Sequence, residues 1–532
     1  MTSEKAKLVP RPSVAPYHRH PLHEYQLSAA AKLGGKTAIV DGGQELTFTQ
    51  LKDRTANLAS ALAAMGIGKG DRVAIFAPNC WEYVASFYAI SWIGAVVTTL
   101  NPSYREREVE FQLRDSGARA IILAESLYPV LEPVLPRLSG ILNVIVIGES
   151  AGKTSHSFED LTSTMSDGPP AVVIDPEEDV VVLPYSSGTT GLPKGVMLTH
   201  SNLTSNVEQL IGRHEIGAPK PDDVLMVHLP LYHIYGMNVI MNVAVALGAT
   251  QVMMGRFEME QFLQLLSDNR VTVLYTVPPV VLALTQFPGI RDYDLSALRL
   301  CFVGAAPMSA EMQTKLESTI DVATVQGYGL TESSPATNAD FMEPSLKKPG
   351  SVGPPLPDTE EKVVDLETGQ RELPRGELGE LIIKGPQVMK GYWNNPDATA
   401  DTLRDGWLYT GDIASMDEEG YVSIVDRKKE LIKYKGFQVA PAELEGLLLE
   451  HPSVSDAAVI GVPDEEAGEV PKAFVVATGA VSAEEIMEWV AEQVAGFKQI
   501  RQVEFLDQIP KNPSGKVLRR VLVEREREKS QA

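Results

Sequence analysis

The chain has 532 residues, 44% of them hydrophobic and 22% charged, an ordinary globular composition that excludes a disordered chain or a coiled coil. At roughly 100–200 residues per domain, this length predicts more than one core. Formal charge is −23, from 47 basic and 70 acidic side chains, which excludes broad nucleic-acid binding; an anionic ligand has to be met by a local cluster of amides, lysines and metal.

Residues 1–19 are polar and proline-bearing, with no apolar segment of the kind a secretory signal needs, and only two cysteines, Cys80 and Cys301, are present. A cytoplasmic location is the expectation. Residues 49–66 predict a helix, since Leu51, Leu58 and Leu62 share one face and Gly66 closes it, and 72–76 a buried strand. Residues 83–104 carry no charge, but Ser86, Ser91, Asn101 and Pro102 interrupt them, so they read as a buried helix and a strand rather than a membrane span. Strand-like runs at 180–183, 271–275 and 300–303 alternate with helix-length segments, which predicts parallel sheets covered by helices. From 373–378 the texture changes: 380–384 and 420–425 read as strands of a smaller sheet, and 407–409 as a strand with Asp412 at its end.

A break falls near Asp426. Beyond it Ala440-Pro441-Ala442-Glu443 opens a helix, 457–462 and 472–477 read as strands, and Ser482 with Glu485 forms a capping box. The Glu- and Arg-rich run 524–529 reads as a solvated helix end. The fold class is therefore α/β: a large N-terminal domain of helix-covered sheets (1–425) with a smaller β-rich subdomain, and a small α+β C-terminal domain (431–532).

One segment points to chemistry. Tyr185-Ser186-Ser187-Gly188-Thr189-Thr190-Gly191-Leu192-Pro193-Lys194-Gly195 directly follows the strand at 180–183. Its glycines admit close approach of a phosphate, its hydroxyls and amides can donate to the oxygens, and Lys194 adds a cation. The G-x-x-x-x-G-K-[ST] pattern is absent, because the lysine lies between Pro193 and Gly195.

This segment resembles the phosphate loop of the adenylate-forming superfamily, which contains acyl-CoA synthetases, amino-acid adenylation domains and beetle luciferases. Further matches follow in that family's order: Gln326-Gly327-Tyr328-Gly329-Leu330-Thr331-Glu332, Tyr409-Thr410-Gly411-Asp412, the hinge-like Asp426-Arg427-Lys428-Lys429-Glu430, and Pro513-Ser514-Gly515-Lys516. The resemblance implies that Ser186, Ser187, Gly188, Thr189, Thr190, Gly191, Lys194, Gln326, Gly327 and Tyr328 bind ATP or AMP. Glu332 would bind Mg²⁺, a hard cation suited to carboxylate oxygen, and Thr331 would donate to the α-phosphate. Asp412 and Arg427 would hold the ribose. Lys516 would reach both the substrate carboxylate and the α-phosphate. The resemblance further implies a hinge at 426–430 and a mobile C-terminal domain, turning about Lys429 to withdraw Lys516 and present the face from Lys433 to Gly436. Lys429 and Lys433 are counted with the nucleotide site.

Leu431-Ile432-Lys433-Tyr434-Lys435-Gly436-Phe437-Gln438-Val439-Ala440-Pro441 is similar to the phrase used by 4-coumarate–CoA ligases, luciferases and related fatty acyl-CoA synthetases. On that likeness Arg256, Lys435 and Gly436 match CoA-contacting positions, Leu231-Tyr232-His233-Ile234-Tyr235 an acyl-site wall with His233 near the carboxylate, and Tyr235, Gly304, Ala305 and Gly327 the acyl pocket. The wall holds no aspartate for an α-amine, which disfavours an amino-acid substrate. The implied reaction joins a carboxylic acid to CoA with ATP, the acid being an aryl-propenoate or a medium-to-long-chain fatty acid. A luciferase-like oxygenase and a catalytically silent nucleotide-binding regulator are the alternatives.

Overall fold

The computed structural model describes residues 12–149, 156–164, 167–186, 193–212, 217–435, 437–464, 467–512 and 515–531. The first expected helix is Phe48–Ala64, which begins early because Thr47 and Gln50 cap each other reciprocally through side chain and amide. Leu51, Leu58 and Leu62 are fully buried along it. Helix Trp81–Trp92 and strand Val96–Thr99 account for the charge-free stretch, and among the described residues no helix is long and apolar enough to cross a membrane.

Two large sheets dominate. One orders its eight strands Ala336–Ala339, Ala323–Gly329, Leu300–Val303, Val273–Thr276, Val224–Val227, Thr250–Met253, Thr37–Asp41 and Gln44–Thr47; the middle six are parallel and the outer two antiparallel. The other sets Arg72–Phe76 between Val96–Thr99 and Ala118–Ala124 in parallel, and ends in the antiparallel strands Lys194–Thr199 and Gly391–Tyr392. Parallel neighbours require crossover segments, which here supply the covering helices. A single core joins Val73, Val97 and Val182 of one sheet to Leu225, Val273 and Phe302 of the other, and extends to Leu381 and Ile383 of a third sheet.

That third sheet has five strands, including Gly379–Lys384, Trp407–Met416 and Val422–Arg427. The strand expected at 420–425 starts later because Asp417 closes a turn, its Oδ1 accepting the amides of Glu419 and Tyr421 while Gly420 takes φ 92°. The strand-like run at 407–409 continues to Met416, so Asp412 lies within the strand rather than at its end. Gly411, at φ 70°, gives the local kink, with its amide on Glu380 and its carbonyl accepting from Lys428.

The fourth sheet is built from residue 432 onward, from Ile432–Tyr434, Phe437–Val439, Val454–Asp464, Gly468–Ala477 and Gln502–Phe505. Leu444, Leu448 and Ile486 form one core against it, and Phe474, Ile509 and Leu522 another. The Ser482–Glu485 capping box is present. The run at 524–529 is not merely solvated: Arg525 and Lys529 pair with Glu504 and Glu526 pairs with Lys472, which ties helix Arg519–Gln531 to the sheet.

Candidate active site

Open α/β sheets bind ligands beyond the carboxyl ends of their parallel strands. In the eight-stranded sheet Val224–Val227 leads to His233 and Tyr235, Leu300–Val303 leads to Gly304 and Ala305, and Ala323–Gly329 carries Gln326, Gly327 and Tyr328. Tyr235 opens a π-helix, Tyr235–Asn242, and its hydroxyl reaches the carbonyls of Thr276 at 3.4 Å and Phe302 at 3.2 Å. Its ring comes within 3.4 Å of the position a Cβ on Gly304 would take. Ala305 adopts φ 70°, a conformation that disfavours its side chain.

Two residues expected to face ligand are engaged otherwise. The Gln326 amide is used on the chain itself, donating to the Met308 carbonyl at 3.1 Å and accepting the Met308 amide at 3.3 Å, so it braces the loop after Val303. Gly327 leaves no room for a side chain, because a Cβ there would stand 2.5 Å from the Phe302 ring. Phe302, which the sequence reading did not single out, closes that side.

Thr331 and Glu332 occupy the short helix Thr331–Ser333, followed by Ser334 at φ 72°. Asn238, buried in the π-helix, donates to the Ser334 carbonyl at 2.5 Å and accepts from Asn242, which in turn accepts from Tyr88. A buried polar chain thus braces this turn. Glu332 Oε1 accepts from the Ser186 hydroxyl at 3.0 Å and from the Tyr392 hydroxyl at 2.9 Å. Ser186 and Lys194 are register partners across the hairpin that bears the hydroxyl-rich loop. Ser187, Gly188, Thr189, Thr190 and Gly191 of that loop lie outside the described residues, as does Gly436.

Asp412 is 3% exposed and pairs with Arg427, Nε to Oδ1 at 2.6 Å, while its Oδ2 accepts from the Tyr328 hydroxyl. Burial pushes its carboxyl above the ordinary value, and Arg427 and Tyr328 oppose that rise. Lys516 joins this group from the C-terminal unit: burial and then Arg427 hold its ammonium below the usual value, against Glu430 and Asp412. Burial first, and Lys516 second, pull His233 down to about 4. Its Nδ1 accepts the Tyr235 amide at 3.3 Å, so the neutral ring carries its proton on Nε2.

The lysine is placed by its neighbours. Asn512 Oδ1 accepts the Lys516 amide at 2.8 Å, and Gly515, at φ 81°, lies so near Pro279 that a Cβ would stand 2.7 Å from the proline Cγ. Three residues on, Arg519 bridges Glu430 and Glu445 and donates to the Val459 carbonyl. Lys429, Lys433, Lys435 and Arg256 are instead exposed.

The sequence matches the AMP-binding enzyme family over residues 27–393 and the AMP-binding enzyme C-terminal domain over 443–516. The chain belongs to the AMP-binding enzyme family. It is 43% identical to a 4-coumarate–CoA ligase of Pinus taeda over 510 residues, 94% of each chain, and 40% identical to 4-coumarate–CoA ligase 5 of Oryza sativa subsp. japonica over 96% of this chain and 95% of that one. Among solved structures, an anthranilate CoA ligase in complex with anthranoyl-AMP superposes with TM-score 0.91 at 27% identity, over 98% of this chain and 99% of the other. ATP-bound MatB from Rhodopseudomonas palustris gives 0.86 at 31% identity, over 95% and 99%.

Proposed function

We propose that the chain is an ATP-dependent, AMP-forming carboxylate–CoA ligase acting on aryl-propenoic acids of the 4-coumarate type in the cytoplasm. The observation that carries this reading is the grouping of Lys516, supplied by the C-terminal unit, with the buried Asp412–Arg427 pair and with His233.

In the first half-reaction a substrate carboxylate oxygen bonds to the α-phosphorus of ATP as the bond to the bridging oxygen breaks and diphosphate leaves. Lys516 offsets charge on the carboxylate and the α-phosphate, Thr331 donates to the latter, and Asp412 with Arg427 holds the ribose. The neutral His233 directs its Nε2 proton to the carboxylate. Glu332 suits Mg²⁺: among the described residues its hydrogen bonds fall on Oε1, and its carboxylate would hold a hard cation through Oε2. Bound there, Mg²⁺ would neutralise phosphate charge. In the second half-reaction the CoA thiol attacks the acyl carbon and AMP leaves, with the C-terminal unit turned about 426–430 so that Lys435 and Gly436, with Arg256, meet CoA.

Tyr275 is in ring contact with both Tyr235 and Phe302, with centroids 6.4 Å and 5.4 Å apart, which supports a flat aromatic acid over a long alkyl chain. The test is diphosphate release and thioester formation over cinnamates and C6–C16 fatty acids, with and without CoA. Thioester formation from cinnamates is expected; diphosphate release that never yields a thioester would refute the ligase.

A further inference from the structure

The segment 389–393 is stitched between the two halves of the phosphate site. The Met389 amide donates to the Glu332 carbonyl at 2.9 Å, Tyr392 pairs with Val196, and the Trp393 amide donates to the Gly195 carbonyl at 2.8 Å. Tyr392 lies at the middle of this seam and is 7% exposed. Its hydroxyl donates to Glu332 Oε1, and the Lys194 ammonium stands 4.9 Å from its ring centroid. One side chain therefore touches both the candidate metal carboxylate and the cation of the phosphate loop.

A tyrosine buried only for packing needs some acceptor, and any carbonyl would serve. Here the acceptor is the oxygen that Ser186 also serves, at 3.0 Å, so two donors fix the same carboxylate edge. We infer that Tyr392 is a positioning residue: it holds the Glu332 carboxylate with Oε2 presented to Mg²⁺ and keeps Lys194 beside the phosphates. This rests on the reading of Glu332 as the Mg²⁺ ligand.

The experiment is calorimetric titration of ATP into the full chain over a range of Mg²⁺ concentrations, for the parent, Tyr392→Phe, Tyr392→Leu and Glu332→Gln, with thermal melts alongside. Removing an outer partner of a metal ligand typically costs about 10–100-fold in metal affinity. Tyr392→Phe should accordingly need about 10-fold more Mg²⁺ for the same gain in ATP affinity, and keep its affinity without Mg²⁺, because the ring under Lys194 remains. Tyr392→Leu should show the same Mg²⁺ shift and lose metal-free affinity as well, so either variant that folds reports on the metal. Glu332→Gln should lose the Mg²⁺ response. If it does, and a folded Tyr392 variant keeps the parent's Mg²⁺ midpoint, the positioning role is overturned. A full Mg²⁺ response in Glu332→Gln would instead remove Glu332 from the metal site.

Discussion

Gly515→Ala should impair adenylate formation while sparing thioester formation, and the size of the effect follows from two separate costs. The first is backbone strain: φ 81° disfavours a Cβ, at about 1 kcal/mol, whatever the orientation of the C-terminal unit. The second exists only while the lysine loop is docked, since the new Cβ would lie 2.7 Å from Pro279 Cγ and 3.1 Å from Cδ, well inside the optimum of about 3.5–4.0 Å. Pro279 sits at the start of helix Pro278–Gln286, and its ring cannot swing away. Overpacking of this kind costs about 1–3 kcal/mol, or roughly 5- to 150-fold in a rate that requires the docked form. The strain is common to both orientations and cancels between the half-reactions. The assay is acid-dependent exchange of diphosphate into ATP, set against thioester formation from a supplied acyl-adenylate. Equal losses in the two halves would refute the docking argument, because they would leave only the strain.

Lys516→Ala should lower adenylation on the order of 10²-fold or more in the same exchange assay, yet convert supplied adenylate at nearly the parent rate; equal losses would place the lysine in both steps. Phe302→Leu should open the side of the pocket that the ring now closes at Gly327 and admit bulkier or longer acids, costing less than the roughly 3–5 kcal/mol of a Phe-to-Ala truncation. A substrate profile identical to the parent's would show that the acid lies elsewhere. Lys435→Glu should raise the KM for CoA while first-turnover diphosphate release persists; an unchanged KM would remove Lys435 from the CoA site. The pH dependence of stability follows from histidines that burial keeps neutral, His23 and His228 pulled down to about 4 and His200 to about 3. Their folded values lie below the unfolded one, so the stability they preserve is complete above about pH 6.5 and is lost as pH falls toward 4, about 2 kcal/mol for each by pH 5. Urea midpoints that stay flat from pH 7 to 5 would contradict this.

The alternation of helices and strands, the change of texture after 373 and the capping box at Ser482 were legible in the sequence because period, turn residues and caps are local properties. Asp412, Glu332 and Lys516 were legible because each stands in a motif. Tyr392, Phe302, Asn238 and Arg519 were not, since each acts through a partner far along the chain: Tyr392 meets Glu332 across 60 positions, and Arg519 meets Glu430 across 89. Nothing in the local pattern separates Tyr392 from an ordinary core aromatic. At Gly327 a ring from the adjacent strand Leu300–Val303 takes the side where a Cβ would stand, which no local pattern shows.

Asp426 stands at a junction that a hydrogen bond also spans. The sequence marks a break there, and the sheets do change between Val422–Arg427 and Ile432–Tyr434. Its carboxylate, however, is a connection: Oδ1 accepts the Arg427 amide and Oδ2 the Ala442 amide, both at 2.7 Å, so the last strand of one sheet caps the first turn of the helix Pro441–Glu450 beyond the junction. Burial raises this carboxyl, with Arg519 opposing. Any turn about 426–430 that withdraws Lys516 and carries the helix Pro441–Glu450 with it must give up the Ala442 bond and move Arg519 away from Asp426. A hydrogen bond to a charged group contributes about 1.5–3 kcal/mol, and it acts together with the packing of Gly515 against Pro279. The two contacts act at opposite ends of the same motion, so the docked form is held at its pivot as well as at its tip.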